Sequence, residues 1–528
     1  MSEHLSNNVL ALLPEYILTI VGIAVMMLEP VLPAGKSRKP LGWLAIVGTL
    51  AAVGVSLWQL HLGIMDAFSS SIRVDAYSVF FQVVIALVAL ATLLTSLDYF
   101  EGNASHAGEY YALVCFGTVG MMLMSCSTEL LMVFVGLEIS SISTYIMAGF
   151  RKGQAVGTES SLKYFLLGSF ATAFFLYGIA LTFGATGSTN INAIAAALPQ
   201  TNTPVLAVLA IAMIIIGIGF KVSAAPFHVW TPDVYQGAPA PVVGFMSTAP
   251  KAAAFAVLLR ILFSGYAIDQ PRWQILMAII SVLSMTIGNT AALLQRDVKR
   301  MLAYSSIAHA GYLIAAFTAL PTDGIAAAAF YSAAYAAMNV GAFIVITLVS
   351  GYNERLRTSD DFAGLAHEHP WLGAALSFFL LSMIGIPFTA GFFGKFEVFT
   401  AVIAAGHMKL AVIGLLNSGI ACYYYLRLIA RIYSTPKQVQ VASESALADY
   451  ELASQTDVAE VNAPQKFPID PVSKRLPAYI ALAAAVLAVL WMGIFPGRVL
   501  TMAQVGANAT APAGTATQNM VTDPAALR

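Results

Sequence analysis

Five ionisable residues sit where an apolar chain would ordinarily exclude them: Glu138, Lys163, Lys221, Lys251 and Lys395 each interrupt runs of Leu, Ile, Phe, Gly and Ala. A charge at the centre of a bilayer costs at least about 3 kcal/mol even on a lenient insertion scale, so such residues face a protein interior or a watery path. Amines and carboxylates so placed are suited to moving protons. An ammonium in water, with a pKa near 10.4, holds its proton at neutral pH, but desolvation can lower that value by several pH units. A lowering of about three pH units is worth roughly 4 kcal/mol, comparable to moving one proton against about 170 mV. A carboxylate that approaches or leaves a buried amine opposes or frees that change, so motion of Glu138 relative to Lys221 would become proton release. His228, in PFHVW, and His309, in SSIAHAG, offer imidazoles that titrate near neutrality and can pass protons between lysines. Three blander readings compete: lysines that snorkel from helix ends, a buried pair that merely fixes packing, and structural histidines. Lys163, four residues after Glu159, is the most open to them.

The elements that must position these groups are membrane helices. The chain has 528 residues, of which 59% are hydrophobic and 10% charged, with a mean hydropathy of +0.78, against a charged share of about 25% in soluble domains. This composition excludes an ordinary soluble protein and implies an all-α polytopic membrane protein bathed in lipid. A span needs about 20 apolar residues, and by that measure there are about 14 transmembrane helices. They run over roughly 9–28, 41–62, 76–98, 110–126, 128–150, 160–184, 204–228, 239–263, 273–294, 299–319, 324–350, 371–404, 409–433 and 477–495. The opening MSEHLSNN lacks a basic region and a cleavage motif, which predicts a retained first helix.

Helices 7 and 12 are expected to be broken. The seventh meets Gly217, Gly219 and Pro226 around Lys221, and the twelfth meets Gly385, Pro387, Gly391 and Gly394 before Lys395. A straight helix over 371–404 would be about 50 Å long, far beyond a hydrocarbon core of roughly 30 Å. Irregular backbone at that depth is tolerated only where protein or a polar cavity surrounds it. Helices 4–8 and 9–13 form two sets of five, and an odd number inverts the second set relative to the first. Lys221 and Lys395 fall in the fourth member of each set, which is the pattern of a translocation site between inverted five-helix repeats. The chain then divides into an N-terminal three-helix segment (1–105), a first repeat (106–265), a second repeat (266–435), an inward loop (436–476), and a last helix with its tail (477–528).

Charge placement orients the helices. With the N-terminus outside, 16 Lys and Arg lie in inward loops, Arg151 and Lys299 among them, and six lie outside, including Arg260. The excess of inward positive charge places both termini on the outward face. In that orientation Lys163 lies near the inner end of its helix, Lys251 at the middle and Lys395 toward the outside. Glu397 is about 200° round the helix from Lys395 and is not expected to pair with it. The polar stretch 438–470 reads as a flexible loop that touches a neighbour, and the Ala- and Thr-rich segment after Gln504 as a tail. Cys115, Cys126 and Cys422 are isolated and read as core residues. No nucleotide-binding or metal-spaced motif is present, so no cofactor is expected in this chain, and the composition implies no nucleic-acid partner.

The stretches LMVFVGLEISSISTYIMAGF, SSLKYFLLGSFATAFFLYG, GIGFKVSAAPFHVWTPDVYQGAPAPVVGFMSTAPKAA, VKRMLAYSSIAHAGY and GIPFTAGFFGKF resemble the antiporter-like membrane subunits of respiratory complex I and the related Mrp sodium/proton antiporters. The resemblance spans nearly all of residues 9–500. It implies a fourteen-helix fold and a hydrophilic axis of Glu138, Lys221, Lys251 and Lys395, with Glu138 pairing with Lys221, Lys251 joining the halves, and Lys395 ending the path. Lys163 is similar to an additional uptake-side lysine of the family. Proton-translocating NADH:quinone oxidoreductase activity, with flavin, iron-sulfur clusters and quinone held by other subunits, is what the resemblance implies. So are other membrane-arm subunits as partners, another antiporter-like one included, and a bacterial inner membrane. M-type and Mrp members carry glutamate in place of Lys395, and L-type members have a long C-terminal extension, which leaves the N-type branch. An Mrp-type antiporter subunit and a non-pumping structural subunit stand as alternatives.

Overall fold

A computed structural model of the chain describes residues 2–33, 35–101, 106–151, 155–354, 356–435, 467 and 475–510. The expected loop at 438–470 lies, but for residue 467, outside the described residues. After a short helix at Ser2–Ala11, the N-terminal segment contributes α1 (Leu13–Leu28), α2 (Lys39–Gln59) and α3 (Ala76–Tyr99). The first set of five is α4 (Ala107–Cys126), α5 (Leu130–Ala148), α6 (Ala155–Thr186), the divided α7a (Pro204–Lys221) and α7b (Thr231–Gly237), and the divided α8a (Ala240–Met246) and α8b (Ala249–Arg260). The second is α9 (Gln270–Leu293), α10 (Val298–Ala315), α11 (Pro321–Ser350), α12a (Pro370–Ile384), α12b (Ala390–Ala404) and α13 (Met408–Ile432). Then come α14 (Leu476–Ile494) and α15 (Pro496–Thr510).

Thirteen helices among the described residues are long and apolar enough to cross a membrane. The fourteenth expected span is α12, which falls short because it is two 15-residue pieces. Gly385 terminates α12a at φ +99°, a conformation open to glycine because it has no Cβ to clash. Gly493 of α14 lets that helix cross directly over the break, since a Cβ there would press on the Phe388 carbonyl and Thr389 Cα.

Three features depart from the sequence reading. Helix 8 is also divided, at Ser247–Thr248, where Thr248 leaves the helical region before Pro250 restarts the coil as a first-turn proline. A small antiparallel hairpin pairs Met65–Ala67 with Ile72–Val74, an addition to the all-α architecture that the sequence did not announce. The expected tail is helical as far as Thr510, because Val499, Ala503, Gly506 and Ala507 form a buried stripe, with Gly506 against the Tyr77 backbone.

The core explains where charges can survive. α8b is buried along its whole length, and α10 and α11 nearly so. α6 and α13, by contrast, expose Leu162, Phe165, Phe170, Leu415 and Leu416. In a bilayer those outer side chains meet lipid at no cost, while the central helices are screened from it by protein.

Candidate functional site

Lys221 is the last residue of α7a, and the chain turns sharply after it, with Ser223 at φ +62°. Its Nζ donates to Ser141 Oγ at 2.9 Å and lies 5.9 Å from the ring centroids of both Tyr145 and Tyr164. Tyr164 stacks on Trp230 at 4.4 Å, and Trp230 on Phe220 at 5.1 Å. The ammonium thus sits among aromatic faces whose electron density attracts a cation. Glu138 and Ser141 share one face of α5, three residues apart. Glu138 lies within electrostatic reach of Lys221, yet the two form no ion pair, and Glu138 Oε1 is buried without a protein hydrogen-bond partner.

Lys251 occupies the first turn of α8b, placed there by the break in helix 8. Its Nζ donates to the carbonyl of Ser306 at 3.1 Å and to Ser306 Oγ at 2.7 Å. Ser306 Oγ reaches Tyr235 Oη at 3.5 Å. One turn along α10 on the same face comes His309, whose Nδ1 is 2.8 Å from Tyr331 Oη and whose Nε2 is 3.3 Å from Tyr425 Oη. Tyr425 also bonds Ser305 Oγ. His309 is buried and within electrostatic reach of both Lys251 and Lys395.

Lys395, in the second turn of α12b, reaches back across the break. Its Nζ donates to the carbonyls of Met383 (3.0 Å) and Ile384 (2.8 Å) and to Ser418 Oγ (2.8 Å), and it lies 4.9 Å from the Tyr312 ring centroid. The two carbonyls end α12a, so the negative end of that helix stands where a carboxylate would. Among the described residues, none of Lys221, Lys251 and Lys395 forms an ion pair.

Two predicted residues stand apart from this row. Lys163 has 44% of its side chain exposed and pairs with Glu159 at 2.8 Å and Asp233 at 3.0 Å. Asp233 also takes Arg300 at 2.6 Å. His228 is half-buried, and its Nδ1 has no protein partner. The hydroxyls that hold the row, Ser141, Ser306, Tyr331, Ser418 and Tyr425, were not singled out from sequence. For Ser141 and Ser306 the signal lies in the hydroxyl-rich SSISTY after Glu138 and YSSIAHAGY around His309; Tyr331, Ser418 and Tyr425 sit on other helices and come to the row only through tertiary packing.

The structure adds burial and a partner to three basic residues that the sequence reading used only to orient the helices. Arg151 and Lys299, read as inward loop charges, are buried around Glu354, with Arg151 Nη2 and Lys299 Nζ 3.0 and 2.6 Å from Glu354 Oε2. Glu354 Oε1 accepts Tyr99 Oη at 2.9 Å and the Ala240 amide at 2.6 Å. Burial pushes the Glu354 carboxyl up, and the Lys299 and Arg151 charges more than offset this, leaving it below its ordinary value. Arg260, read as an outward charge, is buried 3.0 Å from Asp75. In each case the partner lies more than fifty residues away in the chain, so local composition could not reveal the pairing.

Residues 127–421 match the family described as NADH:quinone oxidoreductase/Mrp antiporter, TM. The chain is similar to NADH-quinone oxidoreductase subunit N 2 of Koribacter versatilis (strain Ellin345), with 52% identity over 438 residues, 81% of this chain and 88% of the relative. It is 42% identical to NADH-quinone oxidoreductase subunit N 1 of Solibacter usitatus (strain Ellin6076) over 498 residues, 94% of this chain and 96% of the relative. Among solved structures, it resembles a chain of respiratory complex I from Thermus thermophilus with bound aureothin, at a TM-score of 0.75 and 35% identity, covering 93% of this chain and 99% of that one. A chain of the Mrp complex from Dietzia sp. DQ12-45-1b superposes with a TM-score of 0.79 at 19% identity, covering 96% and 98%, a likeness that shows the fold alone.

Proposed function

This chain belongs to the antiporter-like membrane-subunit family of the NADH:quinone oxidoreductases, on its subunit N branch, and from that premise we propose that it moves protons through the row Glu138, Lys221, Lys251, His309 and Lys395. The observation that carries the reading is how the three lysines are held. Each is buried, and each meets at least one hydroxyl: Ser141, Ser306 or Ser418. A hydroxyl accepts from an ammonium and donates to a neutral amine, so these contacts serve a lysine with or without its transferable proton. A fixed carboxylate partner would favour the charged form alone.

Glu138 acts on Lys221 as the movable charge, shielded at rest by distance. Lys251 and His309 hand protons from the first set of five helices to the second, and the hydroxyls of Tyr331 and Tyr425 extend the reach of the imidazole. Lys395 ends the row. Lys163 and Asp233 collect protons on the inward face, and His228 serves the same region. The redox steps belong to partner subunits that hold flavin, iron-sulfur clusters and quinone. The protein works among other membrane-arm subunits, another antiporter-like chain included, in a bacterial inner membrane with both termini outward.

The test is proton translocation by the assembled complex in proteoliposomes. Lys221→Met and Lys251→Met are expected to lower the protons moved per electron. A native ratio in both variants refutes the row.

A further inference from the structure

A second group of buried polar side chains lies at the other end of α8b, away from the lysine row. Glu15, near the start of α1, is 4% exposed. Its Oε1 accepts Gln82 Nε2 of α3 at 2.9 Å, while its Oε2 is buried with no protein partner. Gln82 is fully buried, and its Oε1 also lacks a partner. Cys126, which ends α4, has its Sγ 4.0 Å from Glu15 Oε1 and lies within electrostatic reach of Glu15, Asp75 and Arg260. These groups therefore share one neighbourhood.

Arg260 closes that neighbourhood toward the core. It uses Nη2 on both oxygens of Asp75, at 3.0 and 3.2 Å, and lies 5.0 Å from the Tyr77 ring. Its Nε and Nη1 are buried without partners. Each such orphaned polar atom costs about 1–3 kcal/mol unless a water or proton satisfies it. Four such atoms lie on the groups around Cys126, Oε2 and Oε1 of the Glu15–Gln82 pair and Nε and Nη1 of Arg260, from three side chains that are each at least nine-tenths buried. Arg260 sits nine residues beyond Lys251, about 13.5 Å along the helix, and a π-helical turn at Ile261–Gly265 follows it, a feature frequent at functional sites. The hairpin roofs the group through Ala67, Ile72 and Val74, packed with Val79 and Cys126.

We propose that Glu15 is a second proton-carrying site, lodged in a water-containing pocket beneath the hairpin and gated from the lysine row by the Asp75–Arg260 pair. Glu15 Oε2 takes a proton from a hydronium ion in the pocket, its O–H bond forming as a hydronium O–H bond breaks to leave neutral water, and returns the proton to a water on the hairpin side, which becomes hydronium. Glu15 then stores one proton per cycle, and opening of the Asp75–Arg260 pair frees Arg260 to repel it. The first three helices thereby carry chemistry rather than serving only as a flank to the repeats.

This rests on the reading of the chain as a proton carrier. The experiment compares Glu15→Gln, Glu15→Asp and Lys221→Met in the assembled complex, recording protons per electron and the infrared difference spectrum during turnover. Glu15→Gln is expected to lower the ratio and abolish a carboxylic C=O signal that Glu15→Asp retains. A native ratio with an unchanged spectrum in Glu15→Gln overturns the second site. If Lys221→Met alone loses translocation, the lysine row stands and the second site falls; if both variants translocate as the native protein does, both readings fall.

Discussion

Glu354→Ala removes one carboxylate and strands two cations. In the native chain that carboxylate holds Arg151 and Lys299 through one oxygen, and the Tyr99 hydroxyl and the Ala240 amide through the other. Breaking a buried pair by deleting one partner costs about 3–5 kcal/mol, and the orphaned amide adds about 1–3 kcal/mol. The loss rivals the whole stability margin of a typical domain, about 5–15 kcal/mol. It falls where α3, α8a, α10 and the segment after α5 converge, so those elements should separate together. Thermal unfolding of the purified complex in lipid discs, with native-gel assembly as a second readout, is expected to show a lower, broadened transition and less assembled complex. The triple variant Arg151→Met/Lys299→Met/Glu354→Leu should recover much of the loss, because well-packed apolar groups often replace a buried ionic cluster at little cost. The pH dependence has a definite sign. The folded carboxyl lies below its ordinary value, so its stabilisation is complete above the unfolded value of about 4.3 and disappears as pH falls through the folded one. A melting profile for Glu354→Ala indistinguishable from the native one would refute the clamp.

Other substitutions separate packing from transfer. Gly493→Leu drives a side chain into the α12 break, at an overpacking cost of about 1–3 kcal/mol, and should reduce assembly measured on native gels. Ser306→Ala leaves Lys251 its carbonyl contact but removes the hydroxyl; a hydrogen bond to a charge is worth about 1.5–3 kcal/mol, so proton translocation should slow at least tenfold while assembly persists. Lys163→Gln breaks two part-exposed pairs, each worth about 0–1 kcal/mol and screened by salt, so the melting temperature should hold while proton uptake from the inward face falls.

The parts legible in sequence were those written locally. Lys221, Lys251 and Lys395 stand out because charges are rare in apolar runs, and the breaks in helices 7 and 12 announce themselves through clustered Gly and Pro. The break in helix 8 carried a weaker signal, a lone Pro250 after Ser247 and Thr248, since proline is also a normal first residue of a helix. The burial of Arg151, Lys299 and Arg260 was not legible because a basic residue at a helix end looks the same whether water or a distant carboxylate receives it. Tertiary pairing decides between the two, and Glu354 lies over 200 residues from Arg151. The resemblance implies that Glu138 pairs with Lys221; the structure places an aromatic box and a serine around the lysine, with the carboxylate within electrostatic reach and no ion pair formed. The hairpin escaped notice because three-residue strands leave no readable alternation.

The way Lys395 is gripped has a consequence for how this site changes through mutation. Met383 and Ile384 contribute only main-chain oxygens, and every amino acid has one. Substitutions at those two positions therefore leave the ammonium's ligands in place, whatever they do to packing. The vulnerable letters are elsewhere, in Gly385, whose left-handed backbone aims the carbonyl end, and in Gly493, which gives the bend its clearance. A survey of tolerated variants around Lys395 should find latitude at the residues that touch the charge and stringency at two glycines that do not.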